Sequence, residues 1–185
     1  MGNFFKYFRF WRVMRNNYSN YEWEPLDVVT EDGYKLTLFH VWHPDYADPS
    51  LGPVLWHHGD SMDAAIWLNE SDEPHPAISM AWLGHDVYIA NARATTYSRK
   101  HEKYLWRLHR RKYWDFDLDG TALDVVAELQ VMAENTSSTE KGWLYAYSSG
   151  TTASIIALAK HEAEVSNYIH RAILLAPCII PWEDT

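Results

Sequence analysis

Apolar runs of strand length alternate with runs of helical spacing along most of this chain, and that alternation limits its fold more than any other feature. In LDVVTEDGYKLTLFHVW (26–42) two apolar runs flank Glu31-Asp32-Gly33. Asp-Gly is a strong tight-turn signal, so a β-hairpin is predicted. GPVLWHHGD (52–60) reads as a short buried strand ending in a glycine loop. HPAISMAWLG (75–84) has helical spacing and closes on Gly84, a plausible helix stop. HDVYIANAR (85–93) reads as a strand, and DGTALDVVAELQVMAEN (119–135) as the clearest helix. GWLYAYS (142–148) is a strand, GTTASIIALAKHEAEV (150–165) a helix and RAILLAPCI (171–179) a last buried strand. The class is therefore α/β: a mostly parallel sheet with an N-terminal antiparallel hairpin and helices on both faces.

Length and composition narrow this further. The 185 residues are 47% hydrophobic, enough for one domain with a real core. Ten tryptophans and twelve tyrosines point to extensive buried contact surface. The net charge of −9 argues against nucleic acid as the main partner. The longest apolar run, 172–182, is too short to span a bilayer and holds two prolines, so no transmembrane span is predicted. A single cysteine, Cys178, precludes an intrachain disulfide and favours a reducing compartment. His57 and His58 face opposite sides of a strand, and His161 and His170 lack ligand spacing; no metal site and no cofactor are expected.

Charge is unevenly placed. Residues 1–23 form a basic, aromatic arm that carries Lys6, Arg9, Arg12 and Arg15; its first acid is Glu22. Such a start resembles a mitochondrial targeting segment, or an arm lying on a membrane or partner. Residues 24–185 make the domain proper. Within it, 99–114 carries Arg99, Lys100, Lys103, Arg107, Arg110, Arg111 and Lys112 against one acid, Glu102. This segment is either a solvated loop or a contact for anionic lipid or an acidic partner.

WLYAYSSGTTAS (143–154) reads as a strand that ends in a serine and turns at once into a helix. Serine hydrolases present a nucleophile in this way, within G-x-S-x-G. Here the pentapeptide is Ala146-Tyr147-Ser148-Ser149-Gly150, and Ser-x-Gly alone is a weak signal.

A series of segments resembles the acid lipase family, the gastric and lysosomal lipases of the α/β-hydrolase fold. DVVTEDGYKLTL is similar to its opening hairpin and PVLWHHG to its His-Gly oxyanion loop. GHDVYIANARATTYSRKH, YWDFDLDGTALDV, LYAYSSGTTASIIAL and AILLAPC follow in the family's order, over roughly residues 24 to 180. The resemblance implies that Ser148 stands at the nucleophile position. It implies oxyanion donors at the backbone N–H groups of Asp60 and Ser149. Asp60 replaces an apolar residue of the family; a carboxylate at 4 Å would oppose the oxyanion by about 4 kcal/mol at an effective dielectric near 20. Ala94 and Thr95 replace a Gly-Asn pair, so a rebuilt loop is expected there.

The family's triad runs Ser, acid, His. After Ser148 the candidates are Glu162, Glu164 and His170, but the glutamates sit on the next helix and His170 at the wrong end of a strand. An incomplete α/β-hydrolase is expected, without the cap and last strands. Ala172, Ile173, Leu174, Leu175, Ala176 and Pro177 would form an open edge that another protein subunit covers. The expected function is a non-catalytic, lipase-like accessory subunit of a mitochondrial membrane complex, of respiratory-chain or ATP-synthase type, with Lys6, Arg9, Arg12, Arg15, Arg107, Arg110 and Arg111 contacting partner or lipid. The alternative is a serine lipase or esterase whose Asp and His come from a second chain or a further C-terminal half.

Overall fold

Strands β1 (Glu22–Val29) and β2 (Tyr34–Trp42) form the predicted hairpin, with Glu22 opposite Trp42 and Val29 opposite Lys35. Gly33, at φ 93°, makes the turn that an L-residue would strain. The computed structural model describes residues 6–68 and 75–178. In it the sheet continues through β3 (Val54–His57), β4 (Val87–Ile89), the two-residue β5 (Lys100–His101), β6 (Gly142–Tyr147) and β7 (Ile169–Leu175). Their order is β1-β2-β4-β3-β6-β7, with β5 beside β2. Pairings β3·β4, β3·β6 and β6·β7 are parallel, whereas β2 runs antiparallel to its neighbours. Leaving out the short β5, the order is that of the first six strands of an α/β-hydrolase, 1-2-4-3-5-6.

Helices cover both faces. One carries α1 (Phe8–Asn17) and α2 (Pro76–Trp82), packed on Phe39, Val41, Trp56 and Ile89. On the other lie α4 (Leu118–Asn135), α5 (Ser149–Lys160) and α6 (Glu162–Tyr168), packed on Leu38, Leu55, Tyr88 and Leu144. A single turn, α3 (Arg110–Tyr113), buries Tyr113 on this second face. The predicted stops work as expected: Gly84 takes φ 103° after α2, and Asp117 caps α4 by accepting from the Gly120 N–H at 3.0 Å.

Two boundaries differ from expectation. The helix predicted over 150–165 breaks at His161, whose φ of −122° lies outside the helical range, and α6 restarts with Glu162 and Glu164 in its favourable first turn. The last strand begins at Ile169 and stops at Leu175, because Ala176 turns into the left-handed region (φ 47°) ahead of Pro177. Ala176 and Pro177 are thus outside the edge strand, and residue 179 lies outside the described residues. Two residues of that strand, His170 and Arg171, are polar and exposed, so the edge is less apolar than predicted.

The N-terminal arm is built into the fold from Tyr7 onward. Phe10, Val13 and Met14 are buried beneath α1, and β1 already begins at Glu22. The Phe10 ring stacks on Phe39 at 3.8 Å between centroids, and Tyr7 meets the same ring edge-on at 5.7 Å. Lys6 Nζ donates to Thr37 Oγ1 at 2.8 Å. The helix forms because its apolar residues fall at three- and four-residue steps, and the sheet supplies the surface they need. Phe10→Ala should destabilise the protein by about 3–5 kcal/mol, the range for deleting a fully buried ring. Chemical denaturation with an unchanged m-value would measure it; a loss below about 1 kcal/mol would mean that α1 is not part of the cooperative core.

Candidate functional site

The parallel register of β3 on β6 sets His57 beside Ala146. The loops that leave these two strands therefore emerge together at their C-terminal ends, where α/β folds place their sites. Ser148 stands between β6 and α5 with φ 52° and ψ −125°. A non-glycine residue with this backbone is strained by on the order of 1–3 kcal/mol, the state expected of a nucleophile elbow. Its N–H donates to Leu175 O at 3.0 Å and its carbonyl accepts from Thr151 N–H at 2.9 Å. These bonds clamp the turn from both sides.

Two glycines allow the loops to meet. A Cβ on Gly59 would lie 2.8 Å from Ser148 Cβ and 3.3 Å from its Oγ. A Cβ on Gly150 would collide with the His58 carbonyl oxygen and lie 2.8 Å from His57 Nδ1. Ala146, by contrast, carries its methyl fully buried. Above Ser148 opens a cleft of about 1140 Å³, lined by Gly59, Asp60, Ser149, Thr152, Trp114, Phe116 and Leu118 among others.

Asp60 is exposed, and its carboxylate accepts from its own neighbour, the Ser61 N–H, at 2.8 Å. Solvent and that local bond moderate the repulsion expected of it. In the loop after β4, Ala94 takes a left-handed φ of 66°, and its N–H donates to Ser98 O at 2.9 Å. Alanine there costs about 1–2 kcal/mol relative to an unstrained backbone, and the fold sustains it.

The imidazoles near the cleft are structural. His58 Nδ1 contacts Gly59 O at 2.7 Å and its Nε2 accepts from the Ala92 N–H at 3.1 Å, tying two loops together. His57 is fully buried; its Nδ1 lies 3.1 Å from His58 O and its Nε2 3.5 Å from Glu128 Oε2. Burial pushes the His57 imidazole down to about 3 and raises the Glu128 carboxyl well above the usual carboxylate range. Burial thus disfavours the charged form of each. An ion pair here would need further donors to offset its desolvation, and among the described residues neither Glu128 oxygen has a hydrogen-bond partner.

Beside this pair runs a buried ionic network that the sequence reading did not pick out. Asp124, one turn before Glu128 on α4, accepts from Arg93 N–H and Nε–H, both at 2.8 Å. The same guanidinium reaches Asp32 at 2.6 Å and lies over the Tyr34 ring at 4.0 Å. Burial pushes the Asp124 carboxyl up to about 6 against the pull of Arg93. The signal was present in ALDVVAELQVMA: two acids at i and i+4 inside an otherwise apolar helix face.

Among the described residues no imidazole or carboxylate hydrogen-bonds Ser148 Oγ. His170 sits at the start of β7, bonded through Nδ1 to Lys141 O at 2.9 Å. That is five residues before Leu175, the partner of Ser148, or roughly 17 Å along the strand. Glu162 and Glu164 lie in the first turn of α6, beyond the far end of α5. Asp119 pairs with Lys160 at the surface. Of the basic residues singled out, Lys6 is tied to Thr37 and Arg9 to Asp63 (3.5 Å), whereas Arg12, Arg15, Arg107, Arg110 and Arg111 are exposed.

A half-open parallel sheet, a strained serine between strand and helix, and a His-Gly loop packed on that serine define an α/β-hydrolase. Residues 14–71 match the family described as the partial alpha/beta-hydrolase lipase region. The chain is 30% identical over 167 residues to human lipase member K, covering 88% of this chain and 41% of that protein. It is 31% identical over 164 residues to mouse gastric triacylglycerol lipase, covering 86% and 40%. Among solved structures, an esterase of Pyrococcus furiosus superposes with a TM-score of 0.59 at 19% identity, over 85% of this chain and 52% of that one. Over 86–88% of its length the chain is similar to lipases of the acid lipase family, and it spans about two fifths of the length of these curated relatives. The mitochondrial, non-secreted placement expected from the basic arm is corrected: the relatives are lipases of gastric type rather than mitochondrial proteins, and the arm's helix is a packed element of the fold.

Because His57 stays neutral when folded and titrates near 6.5 when unfolded, the unfolded chain takes up the extra proton as pH falls below about 6.5. Its contribution is fully present above that pH and is lost toward pH 3. His57→Gln should therefore lose about 2 kcal/mol less stability than the parent between pH 6.5 and 5, at up to about 1.4 kcal/mol per pH unit. Parallel pH profiles of denaturation would contradict a neutral buried His57.

Proposed function

We propose that this chain carries the nucleophile and oxyanion half of a serine ester hydrolase of the lipase type. One observation supports it above the others: Ser148 is held at a strained backbone, facing the cleft, with the Gly59 turn packed against it. In this reading Ser148 Oγ attacks the carbonyl carbon of a carboxylic ester. Its proton passes to a histidine supplied by a second chain or by further polypeptide, and the backbone N–H groups of Asp60 and Ser149 receive the developing oxyanion. The alcohol leaves with that proton. Water then cleaves the acyl-serine ester and releases the acid, with the serine restored. The relatives' names, triacylglycerol lipase among them, favour a lipid ester as substrate.

A second reading keeps the scaffold without the chemistry, as an accessory lipase-like subunit. The absence of a base for Ser148 among the described residues favours it, as does the carboxylate at Asp60. In that reading a partner chain covers the outer edge of β7, where Leu175 is exposed.

A fluorophosphonate probe separates the two. The full-length polypeptide should label at one serine, and Ser148→Ala should abolish both labelling and hydrolysis of short-chain esters, a loss of at least about 10³-fold. A folded full-length protein that ignores the probe would decide for the accessory subunit.

A further inference from the structure

The segment between β5 and α4 is ordered yet turned inside out. His101 anchors it: the ring contacts Asp32 O at 3.0 Å, and its Nδ1 accepts from the N–H groups of Lys103 (2.9 Å) and Tyr104 (3.2 Å). Tyr113 anchors the other end, fully buried, with its carbonyl bonded by the Tyr34 hydroxyl. Between these anchors Leu105 is 59% exposed and Leu108 76%. Just beyond them, Trp114 (48%) and Leu118 (55%) are exposed on the rim of the Ser148 cleft. Large apolar side chains held in water by an ordered loop mark a contact surface.

The charges around them give the chemistry of that contact. Lys103, Arg107, Arg110, Arg111 and Lys112 are exposed, and among the described residues no carboxylate pairs with any of them. Of the three acids between β5 and α4, Glu102 is drawn to Lys35 at 3.8 Å, Asp117 is engaged in capping α4, and Asp115 lies beyond the basic stretch. Arg107 lies over the Trp106 ring at 4.8 Å and Lys112 over Tyr104 at 5.7 Å, so aromatic bodies and cationic heads share the surface. In a chain of net charge −9 this is a local reversal of sign. Leucines and indoles flanked by arginines suit the boundary between acyl chains and anionic headgroups.

We infer that the 103–118 surface docks the protein on an anionic lipid surface, with Leu105 and Leu108 entering the acyl boundary and the cleft opening toward the membrane. Docking does not depend on Ser148 reacting, so it stands or falls separately from the ester-hydrolase reading. An acidic protein partner is the competing occupant. The paired exposed leucines favour lipid, because a partner chosen by charge alone has no use for them.

The test uses the full-length protein as Ser148→Ala, which prevents turnover, in co-sedimentation with phosphatidylcholine vesicles with and without phosphatidylglycerol. Binding should require the anionic lipid and weaken with salt. The triple variant R107Q/R110Q/R111Q should bind about 100-fold more weakly, near fivefold per cation removed. L105S/L108S should weaken binding at least tenfold without changing the denaturation midpoint, since both sites are exposed. Binding that ignores both variants, or a protein that ignores both vesicle types, would overturn the proposal; the latter would mean that polypeptide covers this face.

Discussion

Everything above the sheet depends on how closely the β3 and β6 loops approach each other. The two strands run in register, so the turn at His58-Gly59 and the start of α5 meet at the same height. There is no room for a side chain at Gly59 or Gly150, and the resulting contact presses a backbone turn against Ser148. The strain at Ser148 is sustained because hydrogen bonds to Leu175 and Thr151 fix its N–H and carbonyl. The elbow is thus a property of three strands and a helix, and the serine is one participant in it. At the first glycine position of the motif stands Ala146, whose methyl the fold buries fully.

Beneath the elbow the fold buries several titratable groups in two different ways. Arg93 is neutralised by Asp124 and Asp32 through hydrogen bonds of 2.6–2.8 Å, which offset desolvation. His57 and Glu128 have no such donors, and burial disfavours the charged form of each. The ionic set ties the β4 loop to α4 and to the β1–β2 turn. The His57–Glu128 pair sits behind the His58-Gly59 turn.

The α/β class was legible because its elements carry a period or a punctuation mark: Asp32-Gly33 for the hairpin, Gly84 for the end of a helix. The break at His161 was not, since histidine in an apolar helical run carries no stop signal of its own. The early end of β7 followed from a left-handed alanine, which composition does not announce. Ser148 was found through its alignment rather than its motif, whereas the Asp32–Arg93–Asp124 network was missed. Its members lie 61 and 31 residues apart and only the tertiary fold brings them together. The basic arm misled for a related reason. Lys6, Arg9, Arg12 and Arg15 looked like an address until Phe10, Val13 and Met14 proved to be the helix's purpose.

A hydrolase of this architecture needs a base above the C-terminal ends of its strands, and β7 ends there with Leu175 bonded directly to Ser148. The chain then doubles back: Cys178 N–H donates to Thr151 Oγ1 at 3.0 Å and its carbonyl accepts from Thr152 Oγ1 at 2.5 Å. Cys178 is thereby held beside α5 on the rim of the Ser148 cleft. These two bonds and the Ser148 N–H bond to Leu175 O pin the C-terminal end of β7 to both sides of the elbow.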